Sequence, residues 1–342
     1  AQRAIYGLFA ERRSELNGRW QTEFGLRYNR VEMDADSVDG TPAMMPAGQV
    51  LRDAFNNADR GQNDNNVDAV AKAWYRAGES TTWYAGIARK TRSPSHQERY
   101  LWLPLEATAG LADGYTYTGN IELDPEVSHQ VEFGLDFSDD RLTVSPRVFY
   151  RKVDDYIQGT PSEVAPAVMF VRMMNQNNGS SNPDPLQFNN IDAVLYGLDV
   201  DWSLRVTDQW IVSGLVNYVR GRRDDGTSDE LYRIAPANAT LRLDYIRPTW
   251  SARVEGVAYA EQDEVSEFNN EQETSGYGVV NAHASWQATP SLALAAGVHN
   301  LFDRDYEDHL AGYNRAANPD IPIGARLPGY GTSLFARVTY EF

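Results

Sequence analysis

A chain of 342 residues, 42% hydrophobic and with a negative mean hydropathy, contains no run near the roughly 18 apolar residues that a membrane-spanning helix needs, so helical spans are excluded. The formal net charge of -17 excludes a nucleic-acid partner, whose phosphates call for a basic footprint, and suits a surface that attracts cations. With no cysteine there are neither disulfides nor thiolate metal sites. Ala1 to Ala10 show no charged n-region, apolar h-region or cleavage site, so the expectation is a mature start or a truncation.

Alternation of apolar and polar residues predicts about thirteen strands, near 3–13, 18–33, 68–77, 80–91, 127–138, 141–157, 189–205, 209–222, 236–247, 249–262, 277–288, 290–302 and 332–342. The pattern is plain in Tyr196, Leu198, Val200, Trp202 and Leu204 against Gly197, Asp199, Asp201 and Ser203. It returns in Trp250 to Tyr259 and runs to the last residue in Leu334, Ala336, Val338, Tyr340 and Phe342. Several runs reach the ten or so residues that cross a bilayer at a tilt, longer than most soluble strands. Trp20, Trp74, Trp83, Trp202, Trp210, Trp250 and Trp286 sit near run ends, where an interfacial girdle requires them.

Short links such as Gly78–Glu79, Asp139–Asp140 and Thr207–Asp208 alternate with long ones at 34–67, 92–126, 158–188, 223–235, 263–276 and 303–331. Outer-membrane barrels place short turns in the periplasm and long loops outside, so the fold class is all-β. A transmembrane antiparallel β-barrel over 1–342 is expected. An odd strand count cannot bring both ends to one side, and strands missing upstream are the expectation.

Ordered motifs then carry a resemblance. Arg89 to Tyr100 (RKTRSPSHQERY), Asn120 to Leu135 (NIELDPEVSHQVEFGL), Phe149 to Ile157 (FYRKVDDYI), Tyr196 to Asp199 (YGLD), Asn300 to Tyr306 (NLFDRDY) and the terminal Phe342 resemble, in order, the signatures of TonB-dependent outer-membrane receptors. Within that family, 97–120 and 300–316 are most similar to the copper receptors of the OprC/NosA type. The resemblance implies a 22-stranded barrel of which this chain supplies the C-terminal part, an N-terminal plug, and a TonB box engaging the inner-membrane TonB complex. Neither plug nor TonB box is found in these residues. It further implies energy-coupled uptake of copper as cargo, with no built-in cofactor, in a wall contacting outer-membrane lipid and lipopolysaccharide. A siderophore or haem receptor of the same family, or a passive porin or adhesin barrel, stays open. The resemblance also implies a principal metal site of Cys and Met in the plug and a loop His-x-Met, none of which this sequence contains.

Accessory contacts are therefore sought in the outer loops. Met169, Met173 and Met174 in one loop, and Met44 with Met45 in another, offer thioethers that favour Cu(I); the alternative is loop packing. His309, beside Asp305, Tyr306 and Asp308, offers imidazole near carboxylates, against the alternative of a solvated histidine. His299 is expected to face the lumen, with His283, His129 and His96 scattered. Asp34, Asp36 and Asp39 resemble a calcium-loop opening but place Val38 at the fifth position and lack the closing Glu, and the acidic run 261–273 reads as a solvated face. Arg147, Arg151, Arg242, Asp244, Arg253, Glu255 and Arg337 are expected in the lumen, against a docked plug or a hydrated pore. Gly-x-Ser-x-Gly, a phosphate-binding Gly-rich loop and His-Glu-x-x-His are absent, so no catalysis is expected.

Overall fold

The computed structural model describes all residues except 41–44, 105–112, 180 and 317–318. The strands run β1 (Gln2–Leu16), β2 (Trp20–Asp34), β3 (Gln62–Arg76), β4 (Thr81–Arg92), β5 (Tyr117–Thr118), β6 (Glu126–Ser138), β7 (Leu142–Pro161), β8 (Leu186–Arg205), β9 (Trp210–Arg223), β10 (Asn238–Ile246), β11 (Trp250–Tyr259), β12 (Tyr277–Thr289), β13 (Leu292–His299) and β14 (Ser333–Tyr340). Helices α1 (Pro46–Asn57), α2 (His96–Tyr100) and α3 (Ala165–Asn178) lie in the first three long links. Each long strand pairs antiparallel with the next, and only β5 departs, lying parallel to the start of β8 through Tyr117 opposite Leu186. Among the described residues β1 and β14 are not paired with each other, so the sheet is open.

All thirteen expected strands are present, because side chains alternate strictly across a pleated strand and the register carries that alternation around the sheet. Leu26, Ala69, Arg89, His129 and Lys152 stand opposite one another on one face. Trp250 faces Trp286 on the same side of the wall, as Leu294 faces Val338. This face is apolar and open to its surroundings, with Leu8, Ile87, Val131, Val254 and Leu334 all exposed, as lipid contact demands. The opposite face carries paired charges: Arg242 bonds Glu255 at 2.7 Å and Arg253 bonds Asp244 at 2.7 Å, while the Tyr84 hydroxyl donates to Glu132 at 2.7 Å.

At the short-turn end the lipid face bears a girdle in which Trp20 packs on Tyr75 (4.7 Å between rings), Trp83 on Phe133 (5.6 Å) and Trp210 on Tyr245 (4.6 Å). Trp74 departs from the expectation. It pairs with Tyr84 on the charged face, 5.4 Å between rings, because it lies one residue out of phase with its lipid-facing neighbour Tyr75. The first short turn spans Asn17 to Arg19 between the paired Leu16 and Trp20, and Asn17 and Gly18 take positive φ there, a conformation that Asn and Gly adopt at least cost.

Three strands extend well beyond the alternation that foretells them, and the first is β3, which begins at Gln62 opposite Met33 instead of at 68. Residues Gln158–Pro161 of β7 and Leu186–Phe188 of β8 continue the ladder, capped by a cluster of Tyr117, Leu123, Ile157, Leu186 and Phe188. The final strand stops at Tyr340 instead of Phe342, since its partner β13 begins at Leu292, opposite Tyr340. The buried apolar clusters lie beneath the long loops, whereas the wall itself buries little, as expected of a sheet whose apolar side faces lipid.

Candidate functional site: the roof of outer loops

The two motif-bearing stretches that flank the second long link meet at a buried node. Ser95 and Glu98 form a reciprocal capping box that starts α2. Glu98 and Glu126 share the guanidinium of Arg92, with Nη1 to Glu98 at 2.9 Å and Nη2 to Glu126 at 2.6 Å. Arg99, with its side chain 1% exposed, donates to Asp64 (5%) at 2.8 Å and to the Leu123 carbonyl at 2.8 Å. Sequence pattern singles out neither partner: Arg99 is one letter of RKTRSPSHQERY, and Asp64 falls in the long link expected at 34–67, where the structure has the start of β3.

Above the node the remaining loops interlock. Asp113 accepts from the hydroxyls of Tyr117 and Tyr232 (2.9 Å for the latter) and from the Tyr115 amide at 3.1 Å. Burial first, and the Asp113 carboxylate next, push the Tyr117 and Tyr232 phenols well above the ordinary tyrosine range. Tyr115 donates to the Asn269 carbonyl at 2.9 Å, and the Asn269 amide donates to Gly159 at 2.8 Å. Glu271 accepts from the backbone amides of Arg233 (2.9 Å) and Ser266 (3.0 Å). Four long links are thereby tied through side chains that sequence spacing gives no reason to connect.

His309 belongs to this network and is buried, not solvated. Its Nδ1 lies 2.9 Å from the Thr274 hydroxyl and its Nε2 3.1 Å from Glu271, so both ring nitrogens are engaged. Asp308 instead accepts from Tyr277 at 3.1 Å. Asn300 of the NLFDRDY motif, at positive φ, bonds the backbone of Arg304 in both directions, at 2.8 and 2.9 Å, and fixes the entry to this loop. On the charged face the structure joins two histidines that the sequence left apart: His283 and His299 lie 5.1 Å apart between rings, both against Phe335. Among the described residues no three His, Cys, Asp or Glu side chains converge as a metal site.

The methionines fare differently. Helices α1 and α3 each carry proline in the first turn, where the missing amide costs nothing. They pack through Ala47 and Leu51 against Ala167 and Phe170, and Met45, Met173 and Met174 all join that cluster beside Trp102. Met169 points away and is 55% exposed; Met44 lies outside the described residues. Arg172 clamps Asp184 at 2.6 Å and holds its carboxyl below the usual range, fastening α3 to the approach of β8.

Comparison with known proteins places this architecture. The family model "TonB dependent receptor-like, beta-barrel" matches residues 1–301. The chain is 24% identical over 314 residues to the ferrienterobactin receptor of Escherichia coli (strain K12), 88% of this chain and 37% of that protein. It is 26% identical over 242 residues to the ferric enterobactin receptor of Pseudomonas aeruginosa, 66% of this chain and 31% of that one. Among solved structures, the copper transporter OprC superposes with a TM-score of 0.81 at 24% identity, over 99% of this chain and 48% of that chain. The FrpB iron transporter of Neisseria meningitidis (F3-3 variant) gives 0.66 at 16%, over 99% and 45%. The chain spans less than half the length of these relatives. An apolar outer face, paired inner charges, alternating short and long links and a family match over most of its length establish that the chain belongs to the TonB-dependent receptor β-barrel family of the Gram-negative outer membrane.

Proposed function

We propose that the chain forms barrel wall and outer loops of a receptor for energy-coupled uptake of a scarce metal, with copper as cargo and no resident cofactor. The observation that carries this reading is the convergence of Met45, Met173 and Met174 between α1 and α3, since soft thioethers favour Cu(I) over hard cations. Met169, exposed on α3, gives a first contact outside that cluster. His309, with both nitrogens occupied, serves the loop scaffold in this reading. The paired lumenal charges suit a removable plug, through which the TonB complex acts. The roles are those of a transporter and not of an enzyme.

A second reading, uptake of a ferric catecholate chelate, is favoured by the two enterobactin receptors to which the chain is similar. Cells producing the whole receptor, with Met45, Met173 and Met174 replaced by Leu, separate the two. Met-to-Leu exchanges are nearly volume-conserving and each costs less than about 1.5 kcal/mol, so the wall stays folded. Copper accumulation from dilute medium is expected to fall several-fold while ferric catecholate uptake is unchanged. Unchanged copper accumulation would remove the methionine cluster from the path, and loss of iron uptake alone would favour the chelate reading.

A further inference from the structure

The last strands of the wall bring two imidazoles together on the charged face. His283 of β12 stands opposite Gly297 of β13, and His299 lies two residues farther along β13, so the pair is diagonal across one hairpin. Diagonal neighbours on one face of a sheet are within reach of each other's longer side chains. Their rings lie 5.1 Å apart, and Phe335 of β14 packs against both. Gly297 is what lets the rings settle there: a Cβ at that position would stand 2.7 Å from His283 Nδ1 and 2.5 Å from the Phe335 ring. Among the described residues neither imidazole takes part in a hydrogen bond; His283 is half-buried and His299 is exposed. The neighbouring charges are already partnered. Arg253, opposite His283, is held by Asp244 at 2.7 Å, and Glu255 is held by Arg242 at 2.7 Å and by the Asn281 amide at 3.0 Å.

We infer that His283 and His299 bind one exchangeable divalent cation of the imidazole-loving kind, Ni(II), Zn(II) or Cu(II), on the lumenal side of the wall. Neutral imidazole nitrogens suit these ions, and here no other partner occupies them. Two imidazoles on one ion, with bonds of about 2.0–2.1 Å, hold their ring centroids about 4.5–5 Å apart as the angle opens from square to tetrahedral, and the two rings already lie at the tetrahedral end of that span. They complete the geometry by turning about their own side-chain bonds, since no hydrogen bond fixes them and Phe335 gives them only an apolar backing. Arg253, neutralised by Asp244, does not repel the ion, and the negative surplus of the chain draws it in. Two protein ligands leave at least two positions for water or for a ligand that travels with the ion, whereas a structural site closes all four. The site therefore holds a cation in passage and does not staple the fold. It stands apart from the methionine cluster among the outer loops and holds whichever cargo those loops admit.

The test is calorimetric titration with Ni(II) of the whole receptor, purified in mild detergent and stripped of metal by a chelator. The wild type is expected to bind one equivalent that the double variant His283→Gln, His299→Gln does not, and each single variant to bind it about 10–100-fold more weakly. Replacing Met45, Met173 and Met174 by Leu is expected to leave the titration unchanged, which keeps this outcome separate from that of the copper-uptake reading. Equal Ni(II) binding by wild type and double variant overturns the inference, as does a Ni(II) site that the methionine variant abolishes. If the double variant fails to migrate as a folded, heat-modifiable species, the wild type decides by itself. With Cu(II) and ascorbate in air, the imidazoles that hold copper are oxidised, and peptide mass spectrometry locates them. Oxidation centred on His283 and His299 supports the site, and oxidation confined to other residues removes it.

Discussion

Arg99 and Asp64 show what a single buried ion pair holds together here. The pair joins α2 to β3, and the Leu123 carbonyl adds the segment leading to β6. Removing one partner strands the other charge out of water, which costs about 3–5 kcal/mol. Arg99→Ala is therefore expected to lower the temperature at which the receptor loses its compact gel mobility, whereas the double change Arg99→Met with Asp64→Leu recovers part of the loss. The phenols on Asp113 make a second prediction at this scale. Because folding raises the pKa of Tyr117 and Tyr232, their stabilising contribution is complete below the ordinary tyrosine value of about 10 and is lost as pH rises through the raised folded values. Ultraviolet titration is expected to find these two tyrosines protonated after exposed ones have ionised, with protease cleavage of the outer loops following their ionisation. Tyr232→Phe removes one of the late titrations, and a spectrum in which every tyrosine ionises together near pH 10 would contradict the buried cluster. Neither pairing was legible in the sequence. Asp64 and Arg99 are 35 positions apart and Asp113 and Tyr232 are 119, and nothing in local pattern links residues across such spans.

Among the elements, strands were legible and the loop helices were not. A strand in this wall writes its own two faces as period two, so Tyr196 to Leu204 announces itself. Helix α1 repeats Ala47, Leu51 and Phe55 at helical spacing, but that signal is little more than two turns long and sits among Gly and Asn that read as turn. The outer ends of β7 and β8 lack alternation because they stand above the membrane under Tyr117 and Leu123, where both faces are covered. A β-bulge between Val153 and Tyr156, with Asp155 at positive φ, marks where the ladder leaves the membrane band. Glycines within the strands give a matched pair of tests. A Cβ on Gly197 would lie 2.6 Å from the Phe149 ring across the hairpin, whereas one on Gly256 meets nothing within 4 Å. Gly197→Leu is expected to destabilise by about 1–3 kcal/mol or more and to reduce the folded fraction in outer membranes, with Gly256→Leu indistinguishable from wild type. Equal folded yields for the two variants would show that the hairpin relaxes around the added side chain.

For the whole molecule, the order of the sheet follows the order of the chain, so thirteen strands close on their neighbours without a crossover. This is why alternation and link length sufficed to read the architecture, while the candidate methionine site needed α1 and α3 to be brought together across more than a hundred residues. The two outermost strands each leave one backbone edge without a sheet partner among the described residues. In hydrocarbon each unsatisfied backbone group costs several kcal/mol, so the 342-residue polypeptide refolded by itself in detergent is expected to give no single compact, heat-modifiable monomer. One sharp band that shifts on heating would mean that β1 and β14 meet after all.

The interlocked loops have a consequence for how this surface changes. Asp113, Glu271, Asn269 and His309 each serve more than one loop, so a substitution at any of them disturbs neighbours that share no sequence with it. Positions such as Met169 and Ile323 stand clear of that mesh. Substitutions that leave the roof folded are therefore expected to be tolerated at those outlying tips, and a binding reagent insensitive to them is one that recognises the knotted roots.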